Sequence, residues 1–261
     1  MLHRLSLLLA LFLPICAQGP WLTLFDGKTL NGIIDPWKAV PPGGSWVIDN
    51  GALKAVPKPH IAEDLVTSQE YGDFELEFEW KVSPGGNTGV KYRIQRILFV
   101  DAGKTQLGPG GFEGMLGREM ANPRSDRAQL PPSASGFEYT IGFECQLIDD
   151  ERHPDARRDE AHKTGALYSF LPPTRHSAKP AGEWNNARIL VRASTIEHWI
   201  NGVQVLKGRL DDPAVRAGAA ARWAAAPPIR EMLSNPRPTG RISFQHHGDE
   251  VWFRAMRVRT L

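Results

Sequence analysis

Apolar and polar residues alternate with a period of two along several stretches of the chain. Phe74, Leu76, Phe78 and Trp80 alternate with Glu75, Glu77, Glu79 and Lys81. Tyr139, Ile141, Phe143, Cys145 and Leu147 fall on one side of a second stretch, with Glu138, Thr140, Glu144 and Gln146 on the other. Near the end, Ile242 and Phe244 alternate with Ser243, Gln245 and His247. Side chains of a strand point alternately to its two faces, so each stretch reads as a strand with one face buried. The pattern predicts Phe74, Leu76, Phe78, Phe143, Cys145 and Phe244 between two sheets.

Turn signals separate these strands. Asn50-Gly51 lies between Trp46–Ile48 and Ala52–Val56, and Asn201-Gly202 between Ile196–Ile200 and Val203–Leu206. Both read as tight hairpins. Ile242–Gln245 and Val251–Val258 read as a C-terminal pair joined through His247 to Glu250. Many short strands with few helical patterns predict an all-β fold, a β-sandwich or jelly roll of two antiparallel sheets. One short helix is expected within Asp211 to Trp223, which is Ala-rich with an acidic start. Two long loops interrupt the strands. Gly103 to Gly136 lacks helix or strand periodicity and is expected to border a polar cleft; Asp149 to Lys163 is dense in charge and histidine. Without an internal repeat or linker, residues 20–261 read as a single domain.

The chain has 261 residues and a net charge of +2, with no basic cluster interleaved with aromatics, which argues against a nucleic-acid partner. Residues 1–19 read as a signal peptide. A short basic start is followed by the apolar run Leu5 to Leu13, too short for a transmembrane segment. The expected location is therefore periplasmic or extracellular. Ile15 directly before Cys16 argues against a lipid anchor, because a lipobox has a small residue there. Cleavage leaves Cys145 as a lone core cysteine.

The polar faces carry the candidate chemistry. Glu144 and Gln146 share one face, as do Lys91 and Arg93, and Gln245 and His247; Glu79 has the same polarity on another strand. If these strands are neighbours in one sheet, their polar faces converge on one concave surface. Carboxylates, amides and imidazole are groups that bind sugars and metals or move protons. Asn87 in a Gly-Asn-Thr-Gly turn, Tyr168 and Trp184 are candidates for substrate contact, although turn geometry and core packing would also explain them. Asp149, Asp150 and His153 offer ligands for a divalent cation such as calcium, without the spacing of an EF-hand. Glu75 and Glu77 read as solvated, and His246 and Trp199 as core.

Eight segments carry a family resemblance. They are LFDGKTLNG at Leu24, YGDFEL at Tyr71, GNTGV at Gly86, ECQLIDD at Glu144, TGALY at Thr164, GEWN at Gly182, WING at Trp199 and QHHGD at Gln245. Together and in this order they resemble the 3-keto-disaccharide hydrolase family, from about Trp21 to Leu261. The resemblance implies a concanavalin-A-like jelly roll, often exported, and cleavage of glycosides whose C3 hydroxyl has been oxidised to a ketone. Two features depart from the family pattern: His246 stands where an Asp is usual, and Gly103 to Gly136 is longer than expected.

A 3-keto sugar has an acidic C2 hydrogen. Removing it gives an enolate that expels the C1 substituent, and water then adds back. The reaction needs a base, a cation at the C3 oxygen and an acid at the leaving oxygen. The expected roles are Glu144 or Glu79 as base or metal ligand, Arg93 as enolate stabiliser and His247 as acid or ligand. Asn87, Lys91, Gln146, Tyr168, Gln245 and Trp184 would bind substrate. A non-catalytic carbohydrate-binding module or lectin on the same fold is the alternative; the mixture of carboxylates, Arg and His favours catalysis.

Overall fold

The period-two segments are strands, and they divide between two sheets. The structure is a computed structural model and describes residues 18–34, 44–123 and 133–261. Residues 1–17, which hold most of the expected signal peptide and Cys16, lie outside the described residues.

The strands in chain order are β1 (Leu22–Phe25), β2 (Ile33–Ile34), β3 (Trp46–Asp49), β4 (Ala52–Ala55), β5 (Ile61–Ala62), β6 (Leu65–Thr67) and β7 (Phe74–Val82). They continue with β8 (Asn87–Asp101), β9 (Gly136–Ile148), β10 (Asn185–Arg192), β11 (Thr195–Ile200), β12 (Val203–Arg209), β13 (Ser243–Phe244) and β14 (Val251–Thr260). An eight-stranded sheet runs β12-β11-β10-β7-β14-β4-β3, with β1 also on β14. A six-stranded sheet runs β2-β6-β13-β8-β9-β5. Every pairing is antiparallel except β5 on β9. The result is the expected all-β sandwich.

All six residues predicted to lie between the sheets are buried. Phe78 of β7 and Phe253 of β14 meet Phe244 of β13 edge-on, with ring centroids 5.6 and 5.2 Å apart, so aromatic contacts join the two sheets. His198 on β11 is a polar link in this core. Its Nδ1 faces the Gly165 carbonyl at 2.9 Å and must carry the proton, and its Nε2 accepts from the Tyr92 hydroxyl at 3.0 Å. Burial drives its pKa down to about 4, so the ring stays neutral. Both Asn-Gly sites are hairpin tips, with positive φ at each residue: 49° and 76° at Asn50-Gly51, 49° and 79° at Asn201-Gly202.

Several expectations are corrected. β13 and β14 are not a pair; the chain crosses from one sheet to the other through His247 to Glu250. The described residues hold three α-helices rather than one. Helix α2 (Pro213–Arg222) is the expected one, with the Asp212 carboxylate accepting from the Ala214 amide. Helix α1 (Gly111–Ala121) lies inside the segment read as loop, where three glycines dilute its periodicity. Helix α3 (Pro227–Ser234) opens on two prolines, residues that suit a first turn but suggest a breaker. Glu75 is buried rather than solvated, held by Arg259 and, at 3.1 Å, by Arg188.

The two faces of β7 give a stability test. Phe78→Ala is expected to destabilise the fold by about 3–5 kcal/mol, by loss of burial and a residual cavity. Glu77→Ala, which removes a partly exposed pair with Arg257, is expected to change stability by less than about 1 kcal/mol. Urea denaturation of the two variants measures both.

Candidate active site

The outer face of the six-stranded sheet carries the polar site, and strand register assembles it. Ser243 of β13 pairs with Lys91 of β8, and Lys91 pairs with Glu144 of β9. One step along, Gln245 donates its backbone N–H to the Gly89 carbonyl, and Gly89 pairs with Gln146. Three neighbouring strands thus present Lys91, Glu144, Gln146, Ser243 and Gln245 on one surface.

Lys91 is 2% exposed and lies at the centre. Its Nζ donates to the Thr140 carbonyl at 2.9 Å, lies 3.7 Å from Glu144 Oε2, and sits 3.9 Å from the centroid of the Tyr139 ring. The Gln245 amide has one orientation that satisfies its neighbours. Its nitrogen donates to Glu144 Oε1 at 2.9 Å and its oxygen accepts from Lys91 Nζ at 2.9 Å. This contact crosses over β8 at Gly89. A Cβ there would lie 2.5 Å from both the Gln245 side chain and the Glu144 carboxylate, so only glycine permits it.

A second carboxylate, Asp64, stands just before β6. It accepts from the Ser243 hydroxyl at 3.0 Å, the Thr140 hydroxyl at 3.2 Å and the His246 amide at 2.9 Å. Glu144 is held above the usual carboxylate range by burial, with the Lys91 and Arg222 cations pulling back the other way. Asp64 is raised for the same first reason, again opposed by Lys91. A buried carboxylate whose pKa is raised is suited to taking up a proton.

These groups line a cleft of about 620 Å³. Its roof comes from elements outside the sheets. Arg222, the last residue of α2, reaches in over Tyr168, 4.7 Å from the ring centroid, and pairs with Glu113 of α1 at 3.4 Å. Phe112 and Glu113 line the cleft, so part of the Gly103 to Gly136 segment does border it. Arg158 lines it from the Asp149 to Lys163 segment. The Tyr168 hydroxyl donates to Asp155 Oδ2 at 2.6 Å, and burial raises its pKa, so the phenol keeps its proton.

Of the sequence candidates, the cleft brings together Glu144, Gln146, Lys91, Asn87, Tyr168, Gln245 and His247. Asn87 Oδ1 is buried without a hydrogen-bond partner, an acceptor available to a bound hydroxyl. His247 sits at the cleft mouth with its ring open to the cleft. Packing around the ring, with the Lys91 cation near it, lowers the pKa of this imidazole, expected as acid or ligand. His246 is satisfied internally: Nε2 faces the Ser45 carbonyl at 3.1 Å, and Nδ1 accepts from the Gly248 amide at 3.0 Å.

Arg93, Glu79 and Trp184 do not join this site. Arg93 has a left-handed backbone, φ 53°, in the β8 segment where pairing with β9 shifts register. The alternation from Lys91 is broken there. Its guanidinium instead reaches the Ala193 carbonyl at 2.9 Å and lies 3.9 Å from Asp73. Glu79 is on the eight-stranded sheet, paired with Arg254 at 2.5 Å, and the same Arg254 stacks 3.9 Å from the Trp184 ring centroid. Tyr139, assigned by its alternation to the apolar face, lines the cleft.

The metal-ligand expectation at Asp149, Asp150 and His153 is also corrected. Asp149 accepts from the amides of Gly85, Glu151 and Arg152, which anchors its loop. Asp150 accepts from the Thr164 amide and His153 Nδ1 from the Asp155 amide. Among the described residues, no group of three His, Cys, Asp or Glu side chains is placed to hold a metal ion. Asp64, Arg222 and Arg158 were missed because no motif or alternation marks them. The one available signal was the basic end of the expected helix, Arg222.

The site is thus a buried carboxylate–lysine pair under an aromatic and arginine roof, on the outer face of one sheet of a sandwich. Residues 20–259 match the family described as a 3-keto-alpha-glucoside-1,2-lyase-like domain. A 3-keto-disaccharide hydrolase of Bacteroides thetaiotaomicron is 31% identical, over 97% of this chain and 82% of that protein. Two crystal structures from Parabacteroides distasonis, provisionally named glycosyl hydrolases, share the fold. The first has a TM-score of 0.66 at 24% identity, covering 93% of this chain and 94% of that one. The second has a TM-score of 0.59 at 21% identity, covering 93% and 100%. The chain belongs to the 3-keto-alpha-glucoside-1,2-lyase-like family and is an enzyme.

The electrostatics of the pair can be measured. Lys91→Met removes the cation that pulls the Glu144 pKa down, so that pKa is expected to rise further above the carboxylate range. NMR titration of a ¹³C-labelled Glu side chain reads it directly. An unchanged value would show that Lys91 does not set the charge on Glu144.

Proposed function

We propose that the enzyme cleaves 3-keto-glycosides, with 3-keto-disaccharides as the substrate class, by elimination followed by hydration. The observation that carries this reading is Glu144: a buried carboxylate on the cleft floor, raised toward neutrality, with one oxygen fixed by Gln245 and the other beside Lys91. The name of the 31% identical relative supports the substrate class.

In this reading Glu144 removes the C2 proton and the electron pair moves into the C2–C3 bond, leaving negative charge on the C3 oxygen. Arg222 and Arg158, the cleft-lining guanidiniums, stabilise that oxygen in the role that Arg93 cannot fill. The enolate reforms the ketone as the C1–O bond breaks, and the aglycone oxygen takes a proton from water entering at the mouth. His247, neutral and open to the cleft, orients that water. The hydroxide left by that water then adds at C1, and the proton on Glu144 returns to C2. Asn87 and Gln146 contact sugar hydroxyls. The route avoids an oxocarbenium ion, so a second carboxylate at glycosidase spacing is not required. The signal-like N-terminus supports export of the enzyme.

Aglycone release from a 3-keto-glucoside tests the reading. Glu144→Gln keeps the shape and removes the base, and turnover is expected to fall by about two to four orders of magnitude with little change in KM. The unoxidised glucoside should not be cleaved. Equal turnover of both would point to an ordinary glycosidase. Sugar binding without turnover of either would point to a lectin.

A further inference from the structure

We propose that the outer face of the eight-stranded sheet carries a second carbohydrate site, for a neutral glycan chain, on the opposite side of the sandwich from the cleft. A groove of about 880 Å³ crosses β10, β7 and β14 there, and no residue of the cleft lines it. Its floor is a row of charge pairs: Glu77 with Arg257 at 2.5 Å and Glu79 with Arg254 at 2.5 Å. Asn186, Arg188 and Trp199 form one wall, with the Arg188 guanidinium 4.4 Å from the centroid of the half-buried Trp199 ring.

Two observations specify the ligand. The first is charge balance. The lining residues Asp26, Glu77 and Glu79 are matched by Arg188, Arg254 and Arg257, so the groove has no net charge to attract an ionic ligand. Each pair nevertheless presents fixed donors and acceptors beyond those it uses internally, an arrangement that suits vicinal hydroxyls. Trp199 adds an apolar surface for the C–H face of a sugar ring. The second observation is a β-bulge. Arg254 and Arg257 are an odd number of positions apart and would point to opposite faces of a regular strand. The register of β14 on β7 shifts between them, and Ala255 adopts a left-handed conformation with φ 49°. The bulge therefore aims both guanidiniums into one groove. The hairpin tips at Gly51 and Gly202 border the groove and carry no side chain, so a chain longer than the groove can pass over them. Such a site would hold the enzyme on a neutral glycan chain.

Affinity electrophoresis tests this with the mature chain in native gels containing xyloglucan, mixed-linkage β-glucan, galactomannan or amylopectin. At least one polymer is expected to retard the wild type. Trp199→Ala and Asn186→Ala should each weaken that retardation by about tenfold or more, and Trp199→Phe should largely preserve it. Turnover of a soluble 3-keto-disaccharide should be unchanged in all three. Asn186 is exposed, so its variant remains informative if Trp199→Ala fails to fold. Lack of retardation by all four polymers would overturn the proposal. So would retardation that survives Asn186→Ala and Trp199→Ala but is abolished by Tyr168→Ala in the cleft. Because turnover is read separately on a soluble substrate, loss of the second site and loss of the proposed reaction are distinguishable.

Discussion

The cleft is organised around a buried cation. An ammonium removed from water is tolerated only where its three donors find acceptors and an anion offsets its charge. Lys91 meets that requirement with the Thr140 carbonyl, the Gln245 amide oxygen, the Glu144 carboxylate and the face of Tyr139. Each partner comes from a different position on the six-stranded sheet, so satisfying one side chain fixes the relative placement of β8, β9 and the end of β13. The same contacts leave Glu144 with little freedom to rotate. A carboxylate held this way is already oriented toward the cleft.

Backbone features enforce the arrangement. Gly89 lets Gln245 cross β8 to Glu144, and any side chain there would separate the amide from the carboxylate. The left-handed residue at Arg93 ends the regular alternation of β8 two positions after Lys91. Beyond that point the strand serves the far end of the sandwich, where Arg93 meets Ala193 and Asp73 from the opposite sheet. A regular strand would have sent both Lys91 and Arg93 into the cleft and left two cations competing for Glu144. The irregularity keeps one.

This explains what could be read from the sequence. Alternation identified β7, β9 and the core, because burying one face of a strand is a local requirement expressed every second residue. The Asn-Gly hairpins were equally local. Alternation does not say which sheet a strand joins, so Glu79 and Glu144 looked equivalent, although they lie on opposite outer faces of the sandwich. It fails where a left-handed residue breaks the period, as at Arg93 and at Ala255. It is silent about side chains delivered by a loop or a helix end, which is why Asp64, Arg158 and Arg222 went unseen. The family motifs include Glu144, Gln146, Tyr168 and Gln245, which line one cleft because those positions lie on regular strand or in the tight turns beside it.

The two outer faces show how the same residue types acquire different chemistry. On the eight-stranded sheet each glutamate of β7 has its own arginine on β14: Glu75 with Arg259, Glu77 with Arg257, Glu79 with Arg254. Glu77 and Glu79 are partly exposed, and each is matched to its own guanidinium. On the six-stranded sheet, Asp64 and Glu144 converge on one lysine beneath a covered cleft, and burial raises both. Lys91 opposes that rise at both carboxylates, and Arg222 opposes it at Glu144 as well. The same residue types therefore differ by burial: partly exposed charge pairs on one outer face, raised carboxylates on the other.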